Sequence, residues 1–256
     1  MRYAATPASR SFGYFCGLII GDGFLRYNPS SRNYDVCLES TDTELIQNFC
    51  DVARSLGFNP HIVRKKRGKL CFSKKELFRV IVSSKWLYEM LRPFKQKDYK
   101  WSIPTFLYET SEVLLGFISG LSDAEGTISL KTHYIVVATS KHRENLEPVQ
   151  KILFEHGIKS KIYKEYCCYA LRVQDIWSME RFSAKIGFRL RRKAEKLKAI
   201  LEHRNGKWRK WREGEVAILE KFYTILTTKE LSKMLNRTYS SIYHKASKMK
   251  LKKGYE

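Results

Sequence analysis

Acidic residues are scarce in this chain: 26 Asp and Glu stand against 48 Lys and Arg, a formal charge of +22 over 256 residues. Such an imbalance predicts a polyanionic partner. Cysteine chemistry is also thin. The six cysteines, at 16, 37, 50, 71, 167 and 168, form no C-x-x-C pair and no Cys/His zinc spacing, which excludes a thiol-ligated zinc module. Cys16, Cys37 and Cys50 fall in apolar patterns and are expected to be buried and reduced; Cys167-Cys168 is expected in a strand. An intracellular protein without structural disulfides follows. The six histidines form no His-Asn-His nuclease cluster. No apolar run reaches the roughly 20 residues that span a bilayer, so no membrane role is expected. The run Phe12–Ile20 has the look of a signal peptide, but Gly21-Asp22-Gly23 is a poor cleavage context and the run recurs later in the chain. Apolar residues make up 43% of the chain, enough for real cores rather than a basic tail.

What is present is one short stretch, twice. Phe15-Cys16-Gly17-Leu18-Ile19-Ile20-Gly21-Asp22-Gly23 is matched by Ile118-Ser119-Gly120-Leu121-Ser122-Asp123-Ala124-Glu125-Gly126. Both read apolar, small, Gly, Leu, two variable positions, small, acid, Gly. The acids Asp22 and Glu125 stand 103 residues apart, so the repeat unit is about half of a large domain. Gly13, Gly17 and Gly21 recur every four residues, as do Gly116 and Gly120. Residues four apart share a helix face, and a ridge of small residues lets two helix backbones approach closely. Two such helices side by side and parallel bring Asp22 and Glu125 together at their C-terminal ends. Carboxylates there face the negative end of the helix dipole and each other. A bound divalent cation relieves both conflicts, and Mg²⁺ is usually held by one or two carboxylates, waters and substrate phosphates. The pattern points to metal-assisted phosphodiester chemistry.

These two stretches resemble the LAGLIDADG motifs of homing endonucleases, in the single-chain form with two motifs. The likeness rests on Gly17, Leu18, Ile19, Gly21, Asp22 and Gly23, and on Gly120, Leu121, Asp123, Ala124, Glu125 and Gly126. Ile20 departs from the motif where its first Asp stands, a position that does not bind metal in the family. The resemblance implies an α+β fold of two pseudo-symmetric αββαββα halves, whose antiparallel sheets form a saddle over double-stranded DNA. It implies that a monomer holds Mg²⁺ (Mn²⁺ substituting) on Asp22 and Glu125 with the carbonyls of Gly21 and Ala124. It also implies that the two acids cut opposite strands and leave short 3′ overhangs. The family often adds a Lys or Gln from a strand near the metals; Ser40 and Thr41 occupy that region in the first half, Lys141 or Lys131 in the second.

The rest of the chain repeats in the same order. Strands are expected at Phe24–Asn28 and Tyr34–Ser40, and a Thr41/Glu44 capping box starts a helix that Gly57 stops. A basic hairpin follows, with seven Lys/Arg and no acid from Arg64 to Lys75, and Leu70-Cys71-Phe72 as its return. An apolar element, Leu77–Leu91, packs behind it. In the second half, strands at Thr127–Lys131 and Tyr134–Thr139, a helix from about Arg143 to His156 and a hairpin at Lys159–Glu165 and Tyr169–Gln174 restate the plan. We place the first half at 1–97, a linker at 98–110 and the second half at 111–203. Strand side chains alternate between core and solvent, so candidate DNA contacts are Arg26, Arg32, Arg64, Lys65, Lys66, Arg67, Lys69, Lys131, Lys141, Lys161, Lys164 and Arg172.

After a basic linker, 204–212, residues 213–256 read as three short amphipathic helices resembling a helix-turn-helix module. Its last helix offers Ser240, Ser241, His244 and Lys245. Two other readings stay open: a maturase acting on its own intron RNA, and a non-cleaving transcription regulator, a class that typically lacks the two acids.

Overall fold

The computed structural model describes residues 9–65, 76–208 and 211–254, with the backbone alone for 203–208. The chain divides into two compact units, residues 1–197 and 198–256.

The first unit is built on two helices, α1 (Arg10–Gly21) and α4 (Ser111–Glu125). Ser9 and Thr110 cap their N-termini through their hydroxyls. Nearly every residue of both helices is buried, which the mean apolarity of these segments permits only if each lies inside a core. The glycines let them touch backbone to backbone. A Cβ placed on Gly17 would lie 2.1 Å from the Phe117 carbonyl oxygen, and one on Gly120 would lie 2.0 Å from that of Tyr14. Gly13 meets Val113 and Gly116 meets Arg10 in the same way, so the helices run parallel.

After α1 come β1 (Gly23–Asn28), β2 (Asn33–Ser40), α2 (Thr43–Ser55), β3 (His61–Lys65), β4 (Leu77–Ser83) and α3 (Lys85–Leu91). After α4 come β5 (Thr127–Ser129), β6 (Tyr134–Ser140), α5 (Arg143–Glu155), β7 (Lys161–Lys164), β8 (Tyr169–Val173) and α6 (Ile176–Lys185). The two sheets have one topology, β1-β2-β4-β3 and β5-β6-β8-β7, antiparallel throughout. This is the αββαββα duplication implied by the sequence. Gly57 and Gly157, with φ of +81° and +75°, end α2 and α5 at matching places, where a side chain at positive φ would be strained.

Three local expectations change. Asp42, not Thr41, caps α2, accepting from the Glu44 and Leu45 amides at 3.1 and 3.4 Å. The Leu77–Leu91 element is a strand and a helix, divided at Ser84, whose hydroxyl caps α3. The strand pairing with β3 is therefore β4; Leu70–Phe72 lie outside the described residues. Cys167 and Cys168 sit in the turn between β7 and β8, closed by the Glu165 amide on the Cys168 carbonyl at 2.8 Å. Cys16, Cys37 and Cys50 are free and buried.

Helix α7 (Arg191–Trp208) runs out of the first unit. The second contains α8 (Glu213–Phe222), α9 (Thr228–Leu235) and α10 (Tyr239–Lys248). Leu219, Tyr223, Leu231, Leu235, Ile242 and Ala246 form its core. Thr227 and Glu230 form a capping box on α9, and Asn236, at φ +47°, turns the chain into α10. Arg237 is buried, paired with Glu215 at 2.9 Å and laid over the Trp211 ring. No helix among the described residues is long and apolar enough to cross a membrane.

Candidate active site at the paired helix ends

Asp22 is the C-cap of α1 and Glu125 the last residue of α4. The helices remain in contact here, since a Cβ on Gly21 would lie 2.6 Å from the Ala124 Cβ. Both carboxyls are held above the ordinary range, chiefly because the surrounding protein desolvates them; for Glu125 the charge of Asp22 adds to it. Asp22 is open to solvent, yet the surrounding protein still raises its carboxyl. Glu125 accepts a hydrogen bond from the Thr139 hydroxyl at 3.0 Å.

The helix ends carry two lysines that sequence reasoning passed over. Lys95 Nζ donates to the carbonyls of Ile19, Ile20 and Gly21 at 3.0, 2.8 and 3.2 Å. Lys193 Nζ donates to those of Ser122, Asp123 and Gly126 at 2.8, 2.7 and 2.6 Å. Each ammonium thus satisfies carbonyls that a helix end leaves open and sits where the dipole favours a cation. Burial pushes both lysines down to about 8. Charge coupling also runs across the helix pair, although the largest ionic partner of Lys193 is Asp123 of the helix it caps. The strongest ionic partner of Lys95, which caps α1, is Glu125 of α4. The cation acting most on Asp22 is Lys193, which caps α4. The conflict that the sequence reading relieved with a divalent cation alone is therefore already partly met by lysine.

Asp123, at the motif's other acid position, faces inward. It accepts from the Tyr14 hydroxyl at 2.8 Å and from the Arg189 and Leu190 amides at 2.9 and 3.3 Å, tying the start of α7 to α4. Ile20 occupies the matching place in α1, buried in the core.

The carboxylate pair offers hard oxygen donors and mutual repulsion, which suits Mg²⁺ or Mn²⁺. Among the described residues no group of three or more His, Cys, Asp or Glu could hold a metal. Two side-chain ligands at most leave the remaining positions to water, carbonyls and a substrate phosphate. The Gly21 carbonyl lies at this point, and Lys193 takes the carbonyls on either side of Ala124 without taking Ala124 itself.

The sequence-nominated basic residues divide. Lys131, Lys141, Lys161 and Lys164 are exposed, as is Arg32 in the β1–β2 turn. Arg26 is paired with Asp35 at 2.6 Å, and Arg172 with Glu165 at 2.5 Å, its guanidinium over Tyr134 and Tyr163. Arg64 is exposed and paired with Glu76, and Lys65 ends β3. Lys66, Arg67 and Lys69 lie outside the described residues. Of the second-half strand candidates, Lys141 lines a cleft of about 420 Å³ with Glu125, whereas Lys131 sits in the β5–β6 turn. Ser40 accepts from the Asp42 amide at 3.0 Å and serves the strand-to-helix turn. Ser240, Ser241, His244 and Lys245 all lie on α10, Ser240 and His244 exposed and the other two half-buried.

The LAGLIDADG-like domain model matches residues 10–92 and 112–203. The chain belongs to the LAGLIDADG-like family. Homing endonuclease I-ApeI of Aeropyrum pernix is 28% identical over 196 residues, covering 73% of this chain and 86% of that protein. A DNA polymerase of Thermococcus sp. (strain GE8) is 32% identical over 219 residues. The alignment spans 79% of this chain but only 12% of the polymerase, so the match is to a small part of that protein. In fold the chain is similar to I-DmoI solved in complex with DNA and Ca, at a TM-score of 0.53 and 23% identity, covering 77% of this chain and all of that one. It is also similar to full-length DUF199/WhiA of Thermatoga maritima, at 0.52 and 18%, covering 96% of this chain and 92% of that one.

Proposed function

We propose that this protein is a site-specific homing endonuclease that makes a staggered double-strand break in a long asymmetric DNA target. The observation that carries the reading is the meeting of Asp22 and Glu125 at the ends of two packed helices, beside the lysines that cap them. Asp22 and Glu125 would hold Mg²⁺ ions, or Mn²⁺ in their place, one acid at each half-site, with the Gly21 and Ala124 carbonyls beside them. Such ions would supply Lewis-acid stabilisation of the leaving 3′ oxygen and a lowered pKa for the attacking water. Lys95 and Lys193 add positive charge where the transition state gains negative charge, and their anchoring on three carbonyls each keeps them from swinging away. The exposed lysines of the two sheets contact phosphates, and the 213–256 unit acts as a helix-turn-helix whose α10 residues Ser240, Ser241, His244 and Lys245 reach DNA. The net charge of +22 supports a nucleic-acid partner. The protein works as a monomer, because one chain carries both halves of the site.

A non-cleaving regulator is the second reading. Its support is the fold likeness to DUF199/WhiA, which extends into the C-terminal unit; the retained pair of acids weighs against it.

The test is selection from a random duplex library in Mg²⁺ with sequencing of the cut ends, run beside Asp22→Asn and Glu125→Gln. A long asymmetric consensus with staggered ends, lost as double-strand cleavage in both variants, supports the nuclease. Enriched binding without cut ends, unchanged by either variant, moves the chain to the regulator class. If neither binding nor cutting of DNA is seen, flanking intron RNA becomes the substrate to assay.

A further inference from the structure

The halves are near-duplicates, yet the chain leaves them differently. After Lys193 it continues as helix α7, with Arg192 paired to Asp42 and the Arg191 amide on Glu44. After Lys95 it makes a closed turn. Lys95 and Trp101 form an antiparallel bridge, and the Gln96 amide meets the Lys100 carbonyl at 2.9 Å. Asp98 and Tyr99, neither of them glycine, are consecutive residues at φ of +57° and +62°. Such backbone is unfavourable and persists only where the surroundings over-determine it.

The surroundings do so from the opposite half. His142 Nε2 donates to the Asp98 carbonyl at 2.8 Å. The buried Asn145 amide donates to the Tyr99 carbonyl at 3.0 Å and to the Ser140 hydroxyl at 2.9 Å. All of this clamping acts on backbone. It leaves the side chains of Tyr99 and Lys100 in solvent, with Tyr99 69% exposed. Both line the cleft of about 420 Å³ that also holds Glu125, Thr139 and Lys141. Lys141 Nζ stands 3.8 Å from the centre of the Tyr99 ring. Three lysines, 95, 100 and 141, therefore face this cleft against the single carboxylate of Asp98 besides Glu125. Asp22 is not among its lining residues.

We propose that the turn 96–101 is a positioning wall for one DNA strand, the one cut at Glu125, with Tyr99 packing on a sugar or base and Lys100 contacting a phosphate. A connector needs neither a strained, doubly clamped backbone nor an exposed aromatic ring beside a lysine. Stacking on an aromatic face tolerates any base, which suits a contact at the cut position, and lysine reaches a phosphate as a mobile point charge. The wall exists on one side only, so the two strands are cut at unequal rates. This inference rests on the nuclease reading.

The test uses the full chain and the duplex that the wild type selects, end-labelled on each strand in turn. Tyr99→Ala with Lys100→Ala, both on the surface, should slow nicking about 10-fold or more on the strand that Glu125→Gln protects. The other strand should be unaffected, so a nicked intermediate accumulates, and Tyr99→Phe should restore most of the rate. Equal slowing of both strands, or slowing of the strand that Asp22→Asn protects, overturns the proposal. If the wild type binds a duplex but cuts none, the nuclease reading fails on its own, and the wall is then read from binding. The double variant should lower the slope of log affinity against log salt by about 1, the share of one phosphate contact. An unchanged slope, or no duplex binding at all, overturns the wall as well.

Discussion

Replacing Gly17 by Ala tests the helix pair on which the site stands. In an ordinary helix interior the change stabilises by about 1 kcal/mol. Here the new Cβ would lie 2.1 Å from the Phe117 carbonyl oxygen and 2.7 Å from the Leu121 amide nitrogen. Overpacking against a side chain that can move costs about 1–3 kcal/mol. The neighbour here is the backbone of a second buried helix, so α1 and α4 must part by roughly 1 Å, and a gap of that size forfeits a quarter to a half of each contact's dispersion energy. We expect a net loss of about 4 kcal/mol, at the severe end for a point substitution. Urea unfolding followed by tryptophan fluorescence reads it. Gly214→Ala is the control, because nothing lies within 4 Å of a Cβ there, and it should be neutral or stabilising by up to about 1 kcal/mol. Gly21→Ala separates fold from site. The three atoms nearest its Cβ all belong to side chains, the Ala124 Cβ at 2.6 Å first, so the helix ends can splay while the core holds. Cleavage should fall about 100-fold from a misplacement near 1 Å with little loss of stability. A Gly17→Ala protein as stable as wild type would refute the close backbone contact.

The remaining predictions concern charge and metal. Lys95→Met should slow the strand cut at Glu125 and Lys193→Met the strand cut at Asp22, each by about 100-fold; strand-specific labelling that assigned each lysine to its own helix's acid would remove the coupling across the helix pair. The folded pKa of Lys193, about 8, lies below its ordinary 10.5. The unfolded chain therefore holds more protons between those values, and stability rises with pH across that window. In EDTA, wild type should gain up to about 3 kcal/mol relative to Lys193→Met between pH 7 and pH 10.5; parallel stability curves would show that Lys193 is not charged and buried together. Mg²⁺ should raise the melting temperature of wild type by relieving the Asp22–Glu125 repulsion, and Glu125→Gln should lose most of that rise. Removing residues 205–256 should weaken DNA binding and flatten its salt dependence while leaving the cut position unchanged; a moved cut would assign target choice to that unit.

The large features were readable in the chain because they repeat or have a period. The paired motifs marked both acids, and the recurrence of glycine every four residues marked the helix contact. The strand at Tyr34–Ser40 and the helix that Gly57 stops, both restated in the second half, outlined the duplication. Local choices were weaker. Thr41 and Asp42 are both good caps, and only backbone geometry selected Asp42. The apolar run Leu77–Leu91 carried no clear period, so its division at Ser84 waited for the sheet to claim Leu77–Ser83 as the partner of β2 and β3.

The sequence by itself determined which residues the proposed chemistry would use: two acids, each beside a glycine, each at the end of a small-faced helix in a strongly basic chain. Tertiary structure decided which cations serve them. Lys95 and Lys193 are two among 48 Lys and Arg, and nothing in their neighbours along the chain separates them from the rest. Their role comes from burial against carbonyls 67 to 76 residues away, where desolvation and the charges of both acids change what an ammonium group does. The clamp on Asp98 and Tyr99 has the same origin, since His142 and Asn145 reach it only when the second half folds against the first. Periodicity along a chain reports which face is buried; it carries no record of what is buried against it.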